Sequence, residues 1–80
     1  MTQHQVTVYI SDGCQDCKRV ITFLENIGIE FKEKNITIEP SYKKELREEH
    51  IYGTPAIFVG SEIILGFQPN KIRRVLQLYN

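Results

Sequence analysis

The sequence predicts an α/β fold of order β-α-β-α-β-β-α, a four-stranded mixed sheet with three helices on its two faces. Three observations predict it. Segments whose apolar residues alternate every two positions take turns with segments of helical spacing. Gly13, Gly28, Pro40, Gly53, Pro55, Gly60, Gly66 and Pro69 cut the chain into blocks of strand or short-helix length. A two-residue Gly60-Ser61 turn joins the last two strands as a hairpin. Helices between the early strands imply parallel pairing there, and the tight turn implies an antiparallel pair at the end.

The elements follow in order. His4 to Ile10 alternates, with Val6, Val8 and Ile10 on one face and Thr7 and Tyr9 on the other, as a strand does. Ser11-Asp12-Gly13 ends it and offers capping oxygens. Cys17, Val20, Ile21, Leu24 and Ile27 then recur at helical spacing, and Gly28 stands where that helix stops. Ile29 to Ile38, with Ile29, Phe31, Ile36 and Ile38, reads as a second strand. Pro40 suits the first turn of a helix. Ser41 to His50 is strongly charged, with Tyr42 and Leu46 as apolar anchors, and reads as a helix facing mostly solvent. Ala56 to Val59 and Glu62 to Leu65 form the hairpin strands. Pro69 opens a last helix with an apolar stripe of Ile72, Val75, Leu76 and Tyr79.

Eighty residues make one domain, 1–80, near the lower size for a core that holds without staples. Ten basic and ten acidic residues cancel, so no general attraction to nucleic acid or an anionic membrane is expected. No apolar run approaches the roughly 18 residues of a membrane span. Met1 to Gln5 lacks the basic and apolar stretch of a secretory signal, which makes the cytoplasm the expected location. The charged run from Lys43 to Glu49 alternates in sign at spacings that support i, i+4 pairs and reads as a solvated face without a binding role. Tyr9 reads as structural, and His4 and His50 as surface or satisfied residues.

The chemistry lies at Cys14-Gln15-Asp16-Cys17, which holds the only two cysteines. Such a pair closes almost no loop, so it does little as a crosslink. Its spacing points to redox chemistry or to half of a metal site. Cys14, Cys17, His4 and His50 would make four zinc ligands, but the histidines lack paired spacing. The pair falls just after the first strand, at the start of the first helix, where free N–H groups and the helix dipole favour an anion. Thiols so placed titrate at roughly 3.5–7.5, against about 8.5 for a free cysteine. Cys14 is therefore the expected attacking thiol, with its pKa lowered but not extreme. Asp16 opposes its ionisation, and Lys18 and Arg19 favour it. Cys17, one turn further in on the apolar face, is the expected resolving thiol. Gly53-Thr54-Pro55 stands immediately before a strand, where a proline removes a ladder donor. An ordinary trans proline in a loop is one explanation. A cis Thr54–Pro55 bond is the other, and the cysteine motif and the β-α-β order before it favour that one.

Together these residues resemble the thioredoxin superfamily and, within it, the glutaredoxin-like proteins. The likeness covers nearly the whole chain: strand, Cys14-x-x-Cys17 helix, strand, helix, Thr54-Pro55, hairpin, Gly66 and final helix. It implies that cis Pro55 packs against the cysteines and shapes the site, and that the backbone of Thr54 pairs with a substrate chain. The sequence departs from the glutathione-using members at three places. Ser11 replaces a basic residue, Asp16 replaces an aromatic one, and Gly66-Phe67-Gln68 lacks the second glycine and the following acid. That stretch, Gly66-Phe67-Gln68-Pro69-Asn70, is similar to the Gly-Phe-Arg-Pro-Asp pattern of NrdH-type redoxins. These are reduced by thioredoxin reductase and pass electrons to ribonucleotide reductase. Asp16 and Ile64-Leu65 stand where that group commonly has Gln and Trp-Ser. Gly66 and Phe67 are thus expected on the substrate side of the site, Phe67 either as an apolar rim or packed under the final helix. The expected protein is a monomeric dithiol oxidoreductase that reduces protein disulfides, with no bound cofactor or metal and thioredoxin reductase as its reductant. A glutathione-dependent glutaredoxin and a non-enzymatic binding module are the alternatives.

Overall fold

The computed structural model describes residues 5–79, with the backbone alone for positions 78 and 79. The order is β1 (Val6–Ile10), α1 (Gln15–Asn26), β2 (Lys32–Asn35), α2 (Pro40–Glu48), β3 (Ala56–Val59), β4 (Glu62–Leu65) and α3 (Pro69–Tyr79). The strands form one mixed sheet in the order β2-β1-β3-β4. β1 pairs parallel with β2, and both β1–β3 and β3–β4 are antiparallel. The helix between β1 and β2 thus makes the parallel crossover expected of it. The helix between β2 and β3 does not: it delivers β3 to the other side of β1, running the opposite way.

Alternation along the two central strands sorts side chains into two apolar layers. Val6 and Val8 of β1, Ile57 and Val59 of β3 and Ile64 of β4 pack with Val20 and Leu24 of α1 and Ile72, Val75 and Leu76 of α3. On the opposite face Tyr9 and Ala56 meet Leu46 of α2 and Ile51, with Tyr42, Phe58 and Ile63 packed around them. The side chains of His4 and Tyr79, placed by the sequence reading in β1 and on the α3 stripe, lie outside the described residues.

β2 is shorter than the run from Ile29 to Ile38 suggested. Its four residues, Lys-Glu-Lys-Asn, are polar, as suits a strand at the sheet edge. Ile29 and Phe31 precede the strand and pack on the larger cluster, Ile36 follows it and packs on the smaller one, and Ile38 is 74% exposed. Odd and even positions thus serve opposite faces, and no single apolar side runs through the segment.

α1 and α2 end in the same geometry. At α1, Gly28 N–H donates to Glu25 O and Ile29 N–H to Leu24 O, with Gly28 at φ +74°. At α2, His50 N–H donates to Arg47 O and Ile51 N–H to Leu46 O, with His50 at φ +61°. The second helix therefore stops at Glu48, and His50 is the residue that turns the chain out of it. The charged run also holds more than a solvated face. Glu45 Oε1 accepts from Tyr9 Oη at 2.7 Å and from Lys34 Nζ at 2.8 Å. The Lys34 ammonium stands 5.3 and 5.2 Å from the Tyr9 and Tyr42 ring centres. These partners hold the Glu45 carboxyl below its usual range, the hydrogen bond from Lys34 foremost. Burial, then the bond to Glu45, pushes the Tyr9 phenol up.

Candidate functional site

The site is built where the loop after β1 turns into α1. Ser11, Asp12 and Gly13 make the turn, and Cys14 is the N-cap, with extended backbone. Its sulfur, rather than an oxygen of Ser11 or Asp12, accepts the N–H of Cys17, at 3.1 Å. This corrects the expectation of an oxygen cap. Asp12 is engaged elsewhere: its carboxylate accepts from Asn35 Nδ2 and its N–H donates to Thr37 Oγ1, both at 3.0 Å. These bonds clasp the β1–α1 loop to the loop after β2.

Cys14 and Cys17 form a disulfide, with Cα atoms 5.2 Å apart. Their environments differ. Cys17 lies in the first turn of α1, 3% exposed against the core, and Cys14 is half-buried at the helix mouth. Asp16 and Arg19 form an exposed ion pair at 3.0 Å, one turn apart. Arg19 is thus engaged by Asp16, which leaves Lys18 as the cation beside the motif without a carboxylate partner among the described residues.

The remaining predicted residues converge on this end of the sheet. The Thr54–Pro55 peptide bond is cis, and Pro55 is buried. Thr54 Oγ1 and Ser11 Oγ are 2.7 Å apart, a hydroxyl pair that ties the loop before β3 to the loop before Cys14. Sequence reading singled out both residues, but for separate reasons. Contact between positions 43 residues apart leaves no local signal. Gly66, at φ +79°, donates its N–H to Pro55 O at 2.9 Å. Phe67 is half-buried and meets Phe23 of α1 edge-to-face, centroids 6.0 Å apart. It therefore leans on α1 and packs on the larger apolar cluster that includes Ile72, Val75 and Leu76 of α3.

Two grooves lie on either side of Lys18 and Thr22, exposed side chains one turn apart on α1. One, of about 450 Å³, is lined by Cys14 and, behind it, Cys17, between the helix and Ser11, Asp12 and Asn35. The other, of about 380 Å³, lies between α1 and Phe67. Among the described residues no three or more His, Cys, Asp and Glu side chains come together in a way that could hold a metal ion. The zinc set drawn from the sequence needs His4, which lies outside the described residues. No described helix is long and apolar enough to cross a membrane.

The glutaredoxin family model matches residues 6–64. The chain is 30% identical over 70 residues to the glutaredoxin-like protein NrdH of Lactococcus lactis subsp. cremoris, covering 88% of this chain and 97% of that one. Its fold is similar to that of the glutaredoxin-like protein NrdH-redoxin from Escherichia coli, with a TM-score of 0.81, 27% identity and coverage of 88% and 92% of the two chains. The thioredoxin-like protein BC3987 superimposes with a TM-score of 0.84 at 25% identity, covering 90% of this chain and all of that one.

Proposed function

This chain belongs to the glutaredoxin family as a thiol–disulfide oxidoreductase of the NrdH-redoxin type, and from that premise we propose that it reduces disulfides in other proteins through Cys14 and Cys17 and is itself recycled by thioredoxin reductase. One observation carries the assignment of roles. The two sulfurs of one bond sit in unequal places, Cys14 at the solvent-facing mouth of α1 and Cys17 buried behind it.

In the reduced protein the Cys14 thiolate is the nucleophile. The Cys17 N–H and the start of α1 supply donors and positive potential for it. It attacks one sulfur of the substrate disulfide, that S–S bond breaks, and the second sulfur leaves as a thiolate. Cys17 then loses its proton and attacks Cys14 Sγ. The mixed disulfide breaks, its substrate sulfur departs and takes up a proton, and Cys14–Cys17 is left oxidised. Two electrons have passed to the substrate. Thr54, Pro55 and Gly66 form the wall against which an extended substrate segment docks, with Phe67 beside them. Ser11 holds the Thr54 hydroxyl, so the docking loop and the cysteine loop keep their spacing.

Thioredoxin reductase is the preferred reductant because Ser11, Asp16 and Gly66-Phe67-Gln68 stand where glutathione-binding members carry a basic residue, an aromatic one and a glycine pair. The solved relative from Escherichia coli is described as having a thioredoxin-like activity profile, which supports the same reading. The protein acts as a monomer in the reducing cytoplasm, without a bound cofactor. The test is NADPH consumption by the oxidised protein with thioredoxin reductase, or with glutathione and glutathione reductase. Turnover with thioredoxin reductase alone is expected. Turnover with glutathione alone would overturn the choice of reductant, and none with either system would overturn the enzymatic cycle.

A further inference from the structure

The groove between α1 and Phe67 extends beyond the docking wall described above, which it meets only at Phe67. Its floor is apolar, made by the edge-to-face pair of Phe23 and Phe67. Its rim is cationic. Lys18 and Arg19 line it, and the Arg73 guanidinium of α3 lies 5.3 Å from the centre of the Phe23 ring. Arg19 is neutralised by Asp16, whereas Lys18 and Arg73 are exposed and form no ion pair among the described residues. The whole chain has no net charge, so the excess is local. The groove shares Lys18 and Thr22 with the groove that Cys14 and Cys17 line, so the two lie side by side.

We propose that this groove is a second docking subsite for the protein substrate, taking a segment beside the substrate disulfide in which an apolar side chain is flanked by carboxylates. The inference rests on the protein-disulfide reading above and adds to it the chemistry of the substrate. The apolar side chain covers the Phe23 and Phe67 rings, and about 380 Å³ holds one or two such groups. The carboxylates meet Lys18, which lines the groove, and the Arg73 guanidinium, which stands over the Phe23 ring. Both cations are solvent-exposed, so the expected discrimination is modest and sensitive to salt, about three- to tenfold between opposite charges.

The test uses the full chain, reduced with dithiothreitol and then freed of it, against peptides sharing one intramolecular disulfide. Flanking segments are Glu-Phe-Glu, Ser-Phe-Ser or Lys-Phe-Lys, placed on either side. Single-turnover rates against peptide concentration should give the tightest apparent affinity for the acidic flank and the weakest for the basic one, with the spread collapsing at high salt. The double variant Lys18→Glu/Arg73→Glu should reverse the order, and Lys18→Gln/Arg73→Gln should erase it. A fourth peptide flanked by Glu-Ser-Glu should bind more weakly than Glu-Phe-Glu on the wild-type chain, and Phe67→Ala should narrow that gap. Each comparison is between peptides on one protein, so a change in Cys14 reactivity common to all of them cancels. Equal affinities on the wild-type chain, or an order that survives both double variants, would overturn the subsite alone. Reduction of none of the peptides would overturn the protein-disulfide reading beneath it.

Discussion

At the scale of single residues, two sulfurs three positions apart are made unequal by one turn of helix. Cys14 faces out and accepts a backbone N–H, while Cys17 is sealed against the core. Cys14→Ser should therefore reduce disulfide exchange to background. Cys17→Ser should still attack but fail to resolve, and so accumulate mixed disulfides visible on a non-reducing gel. The reverse pattern would exchange the two roles. Ser11 contributes through its hydroxyl. Ser11→Ala leaves the Thr54 hydroxyl without its partner in a part-buried place, and should cost about 0.5–1.5 kcal/mol in denaturant unfolding. Ser11→Thr, which keeps the oxygen, should recover most of it.

At the scale of elements, α1 and α2 pose one problem and answer it with different residues. Each ends with a residue of positive φ, Gly28 in one and His50 in the other. A side chain in that region costs about 1–2 kcal/mol, which glycine avoids. His50→Gly should accordingly raise stability by about 1 kcal/mol, and Gly28→Ala should lower it by a similar amount, read from shifts in the denaturant midpoint. A Cβ at Gly28 meets nothing within 4 Å, so the loss there would come from the backbone alone. The end of α1 was legible from Gly28, because glycine marks its own conformational need. The end of α2 was not, because nothing in the identity of a histidine announces a left-handed backbone. β2 shows the same limit. An edge strand needs backbone pairing but little apolar surface, so Lys32 to Asn35 carries no periodic signal while its apolar neighbours do.

At the scale of the whole molecule, the two apolar clusters lie on opposite faces of a shared sheet. We propose on that ground that residues 1–80 unfold as one unit, in a single cooperative transition. Glu45 joins α2 to β1 and β2 through Tyr9 and Lys34. Its carboxyl is held low in the folded chain, so the folded form binds fewer protons than the unfolded one in the acid range. The stabilisation is therefore present above the ordinary carboxylate pKa and lost as pH falls through the depressed one. Tyr9 and Lys34 are both raised, so their share is present below their ordinary values and lost as pH climbs past the folded ones. Unfolding midpoints across pH should fall at both extremes, and Glu45→Gln should flatten the acid side. A variant whose acid limb matches the wild type would show that the Glu45 bonds contribute nothing to it.

The sequence by itself determined the order of elements, the α/β class and the place of the cysteine pair. All of these are written in short-range periodicity and in the chemistry of Gly, Pro and Cys. Tertiary structure alone decided that β3 enters antiparallel beside β1, that Ser11 bonds Thr54, that Glu45 gathers Tyr9 and Lys34, and that Phe67 meets Phe23 under Arg73. Each of these joins residues distant in the chain through hydrogen bonds or ring contacts. Such contacts depend on distances set by the packed sheet and helices, and no local pattern of residues encodes them.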